Sequence, residues 1–212
     1  MPPSPKIVRL HEARRAEPPG AEEDPTALAR GLRAGEGWAQ RMLLERYTDK
    51  LERTLTRILG GRADLDDLVQ EVFVRAFDRV EELREPRALG AWLTAIAVYV
   101  AREAIRRRRR RRWLVFLPPE ETPEPVTSAA SPEMRAAVRA FYDVVGRMDA
   151  DARIAFTLRF VEGMELAEVA GACGVSLATI KRRLKSAEAE FVERAQGNEA
   201  LAGWLEEGRW AR

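Results

Sequence analysis

The chain has 212 residues, with 36 Lys and Arg against 34 Asp and Glu and a formal net charge of +2, a length that fits one or two domains. One cysteine, Cys173, and one histidine, His11, leave no disulfide framework and no His/Cys metal set, and there is no Gly-rich phosphate loop, nucleophile elbow or His-Glu-x-x-His pattern. Enzymes built on those devices are set aside and no cofactor or metal is expected. With no apolar run of transmembrane length and no secretory core after Met1, the expectation is a soluble, cytoplasmic protein without membrane insertion.

Residues 1 to about 25 carry six prolines, many charges and few large apolar groups, so burial cannot offset their ordering entropy and the tail is expected to be disordered. From there apolar residues recur at three- and four-residue steps. Leu28 and Leu32 come first, then Met42, Tyr47, Leu51, Leu55, Ile58 and Leu59, with Gly60-Gly61 as the stop. The next helix is the most regular: Leu65, Leu68, Val69, Val72, Phe73, Ala76, Phe77 and Val80 make one stripe, and Asp64, Asp66 and Asp67 suit the positive end of its dipole. Over residues 63 to 85, eight acids stand against three arginines. The outward side, Asp67, Gln70, Glu71, Val74 and Asp78, reads either as a solvated acidic face or as a docking surface for a basic partner centred on Val74.

After a loop broken by Pro86, a third helix carries Leu89, Trp92, Leu93, Ile96, Ala97, Val100 and Ile105 and ends in seven consecutive arginines, Arg106 to Arg112. So dense a run repels itself unless it meets polyanion, and is too concentrated to be neutralised internally. Phosphate contact is the natural use, and a basic tail or membrane-surface patch the plainer alternative. Trp113 to Phe116 form one apolar tetrapeptide, and residues 117 to 132, with five prolines, read as a linker. Ser131-Pro132 opens a helix carrying Met134, Val138, Phe141, Val144, Val145 and Met148. A break at Asp149 leads to a helix with Ile154, Leu158 and Val161, closed by Gly163. No strand-period segment competes. The expected fold is all-α: two small helical domains, 26–112 and 133–195, each with its own core, joined by a Pro-rich linker over 113–132. Residues 196–212 add Leu201, Trp204, Leu205 and Trp210, which suit a short amphipathic helix.

Within the second domain, Leu166 to Leu184 read as helix, tight turn, helix. Leu166, Val169, Ala170 and Cys173 form one apolar face, Gly174 can take the positive φ that ends a helix, and Ser176 can cap the next one. Ile180, Leu184, Ala187 and Phe191 continue the buried side. Ser176, Ala178, Thr179, Lys181, Arg182, Arg183 and Lys185 remain outward: small, polar or cationic, as on a helix that enters a DNA major groove. An ordinary helical hairpin with a solvated basic face is the plainer alternative. Cys173 reads as a core residue of this unit rather than a redox sensor.

Two segments carry a family resemblance. Ala63-Asp-Leu-Asp-Asp-Leu-Val-Gln-Glu-Val-Phe-Val-Arg-Ala-Phe77 with Ala91-Trp-Leu-Thr-Ala-Ile-Ala97 resembles region 2 of the extracytoplasmic-function (ECF) sigma factors of bacterial RNA polymerase. Ala155-Phe-Thr-Leu-Arg-Phe-Val-Glu-Gly-Met-Glu-Leu-Ala-Glu-Val-Ala170, running on to Thr179-Ile-Lys-Arg-Arg-Leu184, resembles region 4 of the same group. The resemblance covers about residues 27 to 195. It implies that Asp67, Gln70, Glu71, Val74 and Asp78 dock on the clamp helices of core RNA polymerase. Arg84, Arg87, Ala95, Val98, Tyr99, Arg102 and Arg106 would then lie toward the −10 element, where a flipped base is captured. The helix from Ser176, with Ala178, Thr179, Lys181, Arg182, Arg183 and Lys185, would enter the −35 element. Promoter DNA, core polymerase and an anti-sigma factor are the implied partners, and the C-terminal extension packed on region 4 is a candidate built-in regulator.

The chain departs from the family pattern at Ala95, Val98 and Tyr99, where members present basic residues and an asparagine. Either Tyr99 stacks on a base, or this face binds another protein. After Lys185 the helix turns acidic at Glu188, Glu190 and Glu193. The competing functions are a sigma-like DNA-binding regulator and a decoy that binds an anti-sigma factor, both acting without promoter melting.

Overall fold

Asp24 starts the helical order: its carboxylate accepts the Thr26 N–H at 2.8 Å, and Pro25 occupies the first turn, where its missing N–H costs nothing. The computed structural model describes residues 24–61, 64–115 and 131–207. The expectations for the N-terminal tail, the linker proper, the side chains of residues 111–116, and Trp204 and Trp210 lie outside the described residues.

Among the described residues the secondary structure is helical throughout. Before the linker come α1 (Pro25–Arg33), α2 (Gly37–Leu59), α3 (Leu65–Asp78) and α4 (Leu89–Val115). Gly60 ends α2 at φ +67, as the glycine pair implied. Short 3₁₀ turns at Val80–Glu82 and Pro86–Ala88 make the loop ahead of α4. After the linker come α5 (Pro132–Arg147), α6 (Ala150–Phe156), α7 (Leu166–Cys173), α8 (Leu177–Ala195) and α9 (Glu199–Glu207), with a π-helical turn at Thr157–Val161. Ser131 caps α5 and Asp149 caps α6 through side-chain oxygens.

Two cores result, and one of them crosses the linker. One is built inside the second half: Phe141, Phe156 and Phe191 meet with ring centroids 4.9 to 6.3 Å apart, and Leu201 of α9 is fully buried among them. Within the C-terminal extension, α9 is thus a helix packed against α5 and α8. The other core is shared. It begins with Leu43, Leu55, Leu68, Val72 and Leu93 of the first half and runs on into Ile154, Val169, Cys173, Ile180 and Leu184 of the second. The expectation of a separate core for each half is therefore corrected.

The reason lies in α4. One stripe, Leu89, Leu93, Ile96, Ala97, Val100 and Ala104, packs toward α2 and α3. A second, Thr94, Val98, Ala101 and Ile105, is also buried, and α4 packs against α6 and α7 as well. A helix apolar on most of its circumference must be covered on most of it. The segment Pro86–Arg110 is apolar enough, at mean hydropathy 1.4, to resemble a membrane span, but half of it is buried inside this fold, as befits a core helix.

Candidate nucleic-acid and partner interfaces

The helix-turn-helix forms as the sequence implied. Gly174 sits at φ +67 and the Val175 N–H reaches back to the Ala170 carbonyl at 3.0 Å, closing α7 with a left-handed turn. At its start, Glu165 and Glu168 make a reciprocal capping box. Ser176 accepts the Thr179 N–H at 3.2 Å, and the two hydroxyls lie 2.9 Å apart. Two of the residues placed toward the −35 element are therefore engaged in holding the start of α8. Ala178, Lys181, Arg182 and Lys185 are exposed, and those three cations have no ion pair among the described residues. Leu177, missed by sequence reasoning, is 44% exposed beside them.

Arg183 is different. One helical step of about 100° turns it from the outward side toward α6, where its Nη2 lies 3.8 Å from Asp151 and its side chain is only 22% exposed. Its Nη1 is shielded and makes no hydrogen bond.

On α3, Asp67, Gln70, Val74 and Asp78 are exposed and Glu71 is half-buried. They form one stripe, at steps of three and four residues. Glu71 bonds Arg75 at 2.7 Å; Arg75 in turn bonds Glu103 at 2.7 Å and lies 4.7 Å over the Tyr99 ring, whose hydroxyl donates to Glu103 at 3.1 Å. The candidate polymerase face and the candidate base-stacking residue thus share one network, and one face of the Tyr99 ring is already covered by a guanidinium.

The other residues placed toward the −10 element divide. Arg84 and Arg87 are exposed in the loop, and Ala95 is partly covered. Val98 is a correction: it is 0% exposed, because α7 and α6 cover that side of α4. Arg102 donates to Asp151 at 2.7 Å, and Arg106 lies 3.8 Å from the same carboxylate. The arginine run is partly paired. Arg108 approaches Asp64 at 3.8 Å and Arg109 approaches Asp149 at 4.0 Å, so carboxylates of the chain itself take up part of the charge, and α4 stays helical through the run. Arg107 and Arg110 remain exposed without an ion pair among the described residues.

Sequence reasoning also missed the contacts that join the halves. Arg153, 7% exposed, donates through Nε to the Ile58 carbonyl at 2.7 Å, meeting the negative end of α2. Arg57 and Glu162 pair at 3.0 Å beside it. Tyr142 packs on Gly60, and burial raises its hydroxyl pKa. Burial likewise raises the pKa of the Cys173 thiol, against the opposing pull of Arg102 and Arg183. Among the described residues no cluster of His, Cys, Asp or Glu could hold a metal ion.

The family pattern described as Sigma-70 region 2 matches residues 43–111, and the pattern described as Sigma-70, region 4 matches residues 139–190. The ECF RNA polymerase sigma-E factor of Haemophilus influenzae is 29% identical over 181 residues, spanning 79% of this chain and 92% of its own. Among solved structures, CnrH in complex with the cytosolic domain of CnrY has a TM-score of 0.58 at 23% identity, covering 83% of this chain and 100% of that one. RpoE of Bartonella quintana, solved with the anti-sigma factor NepR, has a TM-score of 0.57 at 21% identity, covering 75% and 98%. At such identities the likeness speaks for the fold.

Proposed function

The chain belongs to the ECF sigma factors of RNA polymerase, and from that premise we propose that it binds core polymerase through α3 and directs it to a two-part promoter. The observation that carries the reading is the α3 stripe: acidic residues on one side of a well-anchored helix around a valine that is 45% exposed. Among the described residues nothing covers Val74. A solvated face has no need of an apolar centre, whereas a docking face gains by burying one.

The exposed side of α8 reads duplex DNA at the −35 element. Lys181, Arg182 and Lys185 neutralise phosphates, and the short side chains at its N-terminus approach base edges. Arg84 and Arg87 of the loop, with Tyr99, Arg102 and Arg106 of α4, handle the −10 strand. Extruding a base there costs a few kcal/mol, which stacking and pocket contacts must offset. The chemistry of RNA synthesis stays with the polymerase. An anti-sigma factor is the expected antagonist, because it would gain by occupying these same faces.

A second reading, a DNA-binding regulator that does not melt promoters, is favoured by one observation: α4 presents no basic residue or asparagine at 95, 98 and 99. Gel filtration with core polymerase separates the two. The sigma reading expects co-elution of the wild type and its loss in Asp67→Lys/Glu71→Lys, with helicity unchanged. Failure of the wild type to co-elute while duplex binding persists would replace it with the regulator.

A further inference from the structure

We propose that the cleft between the π-helical turn and α8 binds a small organic anion: an oxyanion headgroup carried on an apolar body of ring size. A ligand seated there takes up Lys181 and Lys185. Its consequence for the −35 element rests on the promoter reading above; the binding itself does not.

Three elements of the second half build the cleft. Arg159 and Phe160 come from the turn at Thr157–Val161, and Leu166 opens α7. From α8 come Lys181, Leu184, Lys185 and Glu188, one stripe at steps of three and four residues. The volume is about 300 Å³, at the lower edge of the range for ligand sites, roughly 300 to 1,000 Å³. That is room for a ring and its headgroup.

The lining has the chemistry of such a ligand. Its floor is apolar, with Phe160 and Leu166 half-buried and Leu184 buried. Around it stand three cations and one carboxylate. Arg159 donates through Nη1 to the Met164 carbonyl at 2.8 Å, with Glu165 at 3.8 Å, so most of its five donors remain for an anion. Lys181 and Lys185 lie four residues apart on α8, where like charges repel, and neither has an ion pair among the described residues. An anion between them removes that repulsion. Phosphates of duplex DNA would account for the two lysines alone. A backbone phosphate gains nothing from Phe160 and Leu166, and neither of those lies on α8.

The backbone supplies an independent observation. The π-helical turn is a rare geometry, met most often at functional sites. Here it leaves the Thr157 hydroxyl buried and without a hydrogen bond, which costs stability. What the turn delivers is the pair at the cleft, Arg159 and Phe160. The Phe160 ring is backed by Phe156, with centroids 4.7 Å apart, so the floor is formed before any ligand arrives. Glu188 completes the lining; it is half-buried, has no ion pair among the described residues, and opposes a bound anion. Removing its charge should therefore improve binding.

The test titrates the isotope-labelled full chain with phenyl phosphate and follows amide chemical shifts. Inorganic phosphate is the same headgroup without the ring. Phenyl phosphate should give saturable shifts centred on residues 157–166 and 181–188. It should bind about tenfold tighter than inorganic phosphate, the scale of partly burying a ring. Glu188→Gln should tighten phenyl phosphate about threefold, and Lys185→Gln should weaken it by a similar factor. Equal affinities for the two phosphates overturn the proposal, as do shifts centred elsewhere or an affinity unchanged in Glu188→Gln. In parallel, phenyl phosphate should weaken duplex binding more than inorganic phosphate does at matched ionic strength. If the chain proves not to bind duplex DNA, the promoter reading fails, and the shift titration still decides the site.

Discussion

The outward face of α3 and the adjoining side of α4 lie in the same half of the molecule, yet the chain treats them in opposite ways. On α3 the stripe from Asp67 to Asp78 is acidic, exposed and left open, and its one large apolar residue, Val74, is solvated. On α4 the stripe through Val98 and Ala101 is apolar and sealed by helices from beyond the linker. Both stripes repeat every three or four residues, and both lie outside the inner core of the first half. A residue's exposure is therefore set by what the rest of the chain can bring to it.

The largest effects follow from placing the same charge on each face. Val98→Asp puts a carboxylate at a fully buried position, and should cost about 3 kcal/mol or more. In urea the halves should then unfold in two steps rather than one. Val74→Asp should leave stability within about 0.5 kcal/mol, as a surface change does, while abolishing co-elution with core polymerase. A large stability loss in Val74→Asp would mean that α3's face is structural and would erase the contrast.

Arg153 tests whether the seal depends on more than apolar packing. Its guanidinium is buried and meets the end of α2. Arg153→Ala should cost about 2 kcal/mol, the scale of a hydrogen bond to a charged group whose acceptor is left buried. The readout is a lower urea midpoint with the Val98 contact intact. Arg57→Ala, at a more exposed pair, should cost less than about 1 kcal/mol.

What the sequence disclosed, and what it withheld, follows the same division. The helices of both halves, the turn at Gly174, the cap at Ser176 and the open stripe on α3 were legible because each depends on residues within a dozen positions. The apolar character of α4 at Ala95, Val98 and Tyr99 was also visible. Its partner was not, because periodicity reports that a face is buried and says nothing of which distant element buries it. Asp151 gave no signal for the same reason: it sits in the first turn of α6, where an acid is explained by the helix dipole alone. The partial pairing of the arginine run was not visible, because Asp64, Asp149 and Asp151, which approach it, lie outside its own helix. Arg182 and Arg183 look alike in a list of residues and differ only through the rotation of α8.

That last pair gives the finest test. Arg182 is exposed and free to meet a phosphate, whereas the charge of Arg183 is directed at Asp151. Each phosphate contact adds about 0.9 to the slope of log affinity against log salt. In duplex binding, Arg182→Ala should therefore lower that slope by about one contact, and Arg183→Ala by distinctly less. In an Asp151→Asn background Arg183 is released from its carboxylate, and Arg183→Ala should lower the slope more than it does in the native background. Equal slopes for the two variants in the native background would mean that duplex DNA already draws Arg183 away from Asp151. The rotation that separates the two arginines in the free chain would then have no bearing on how the chain meets DNA.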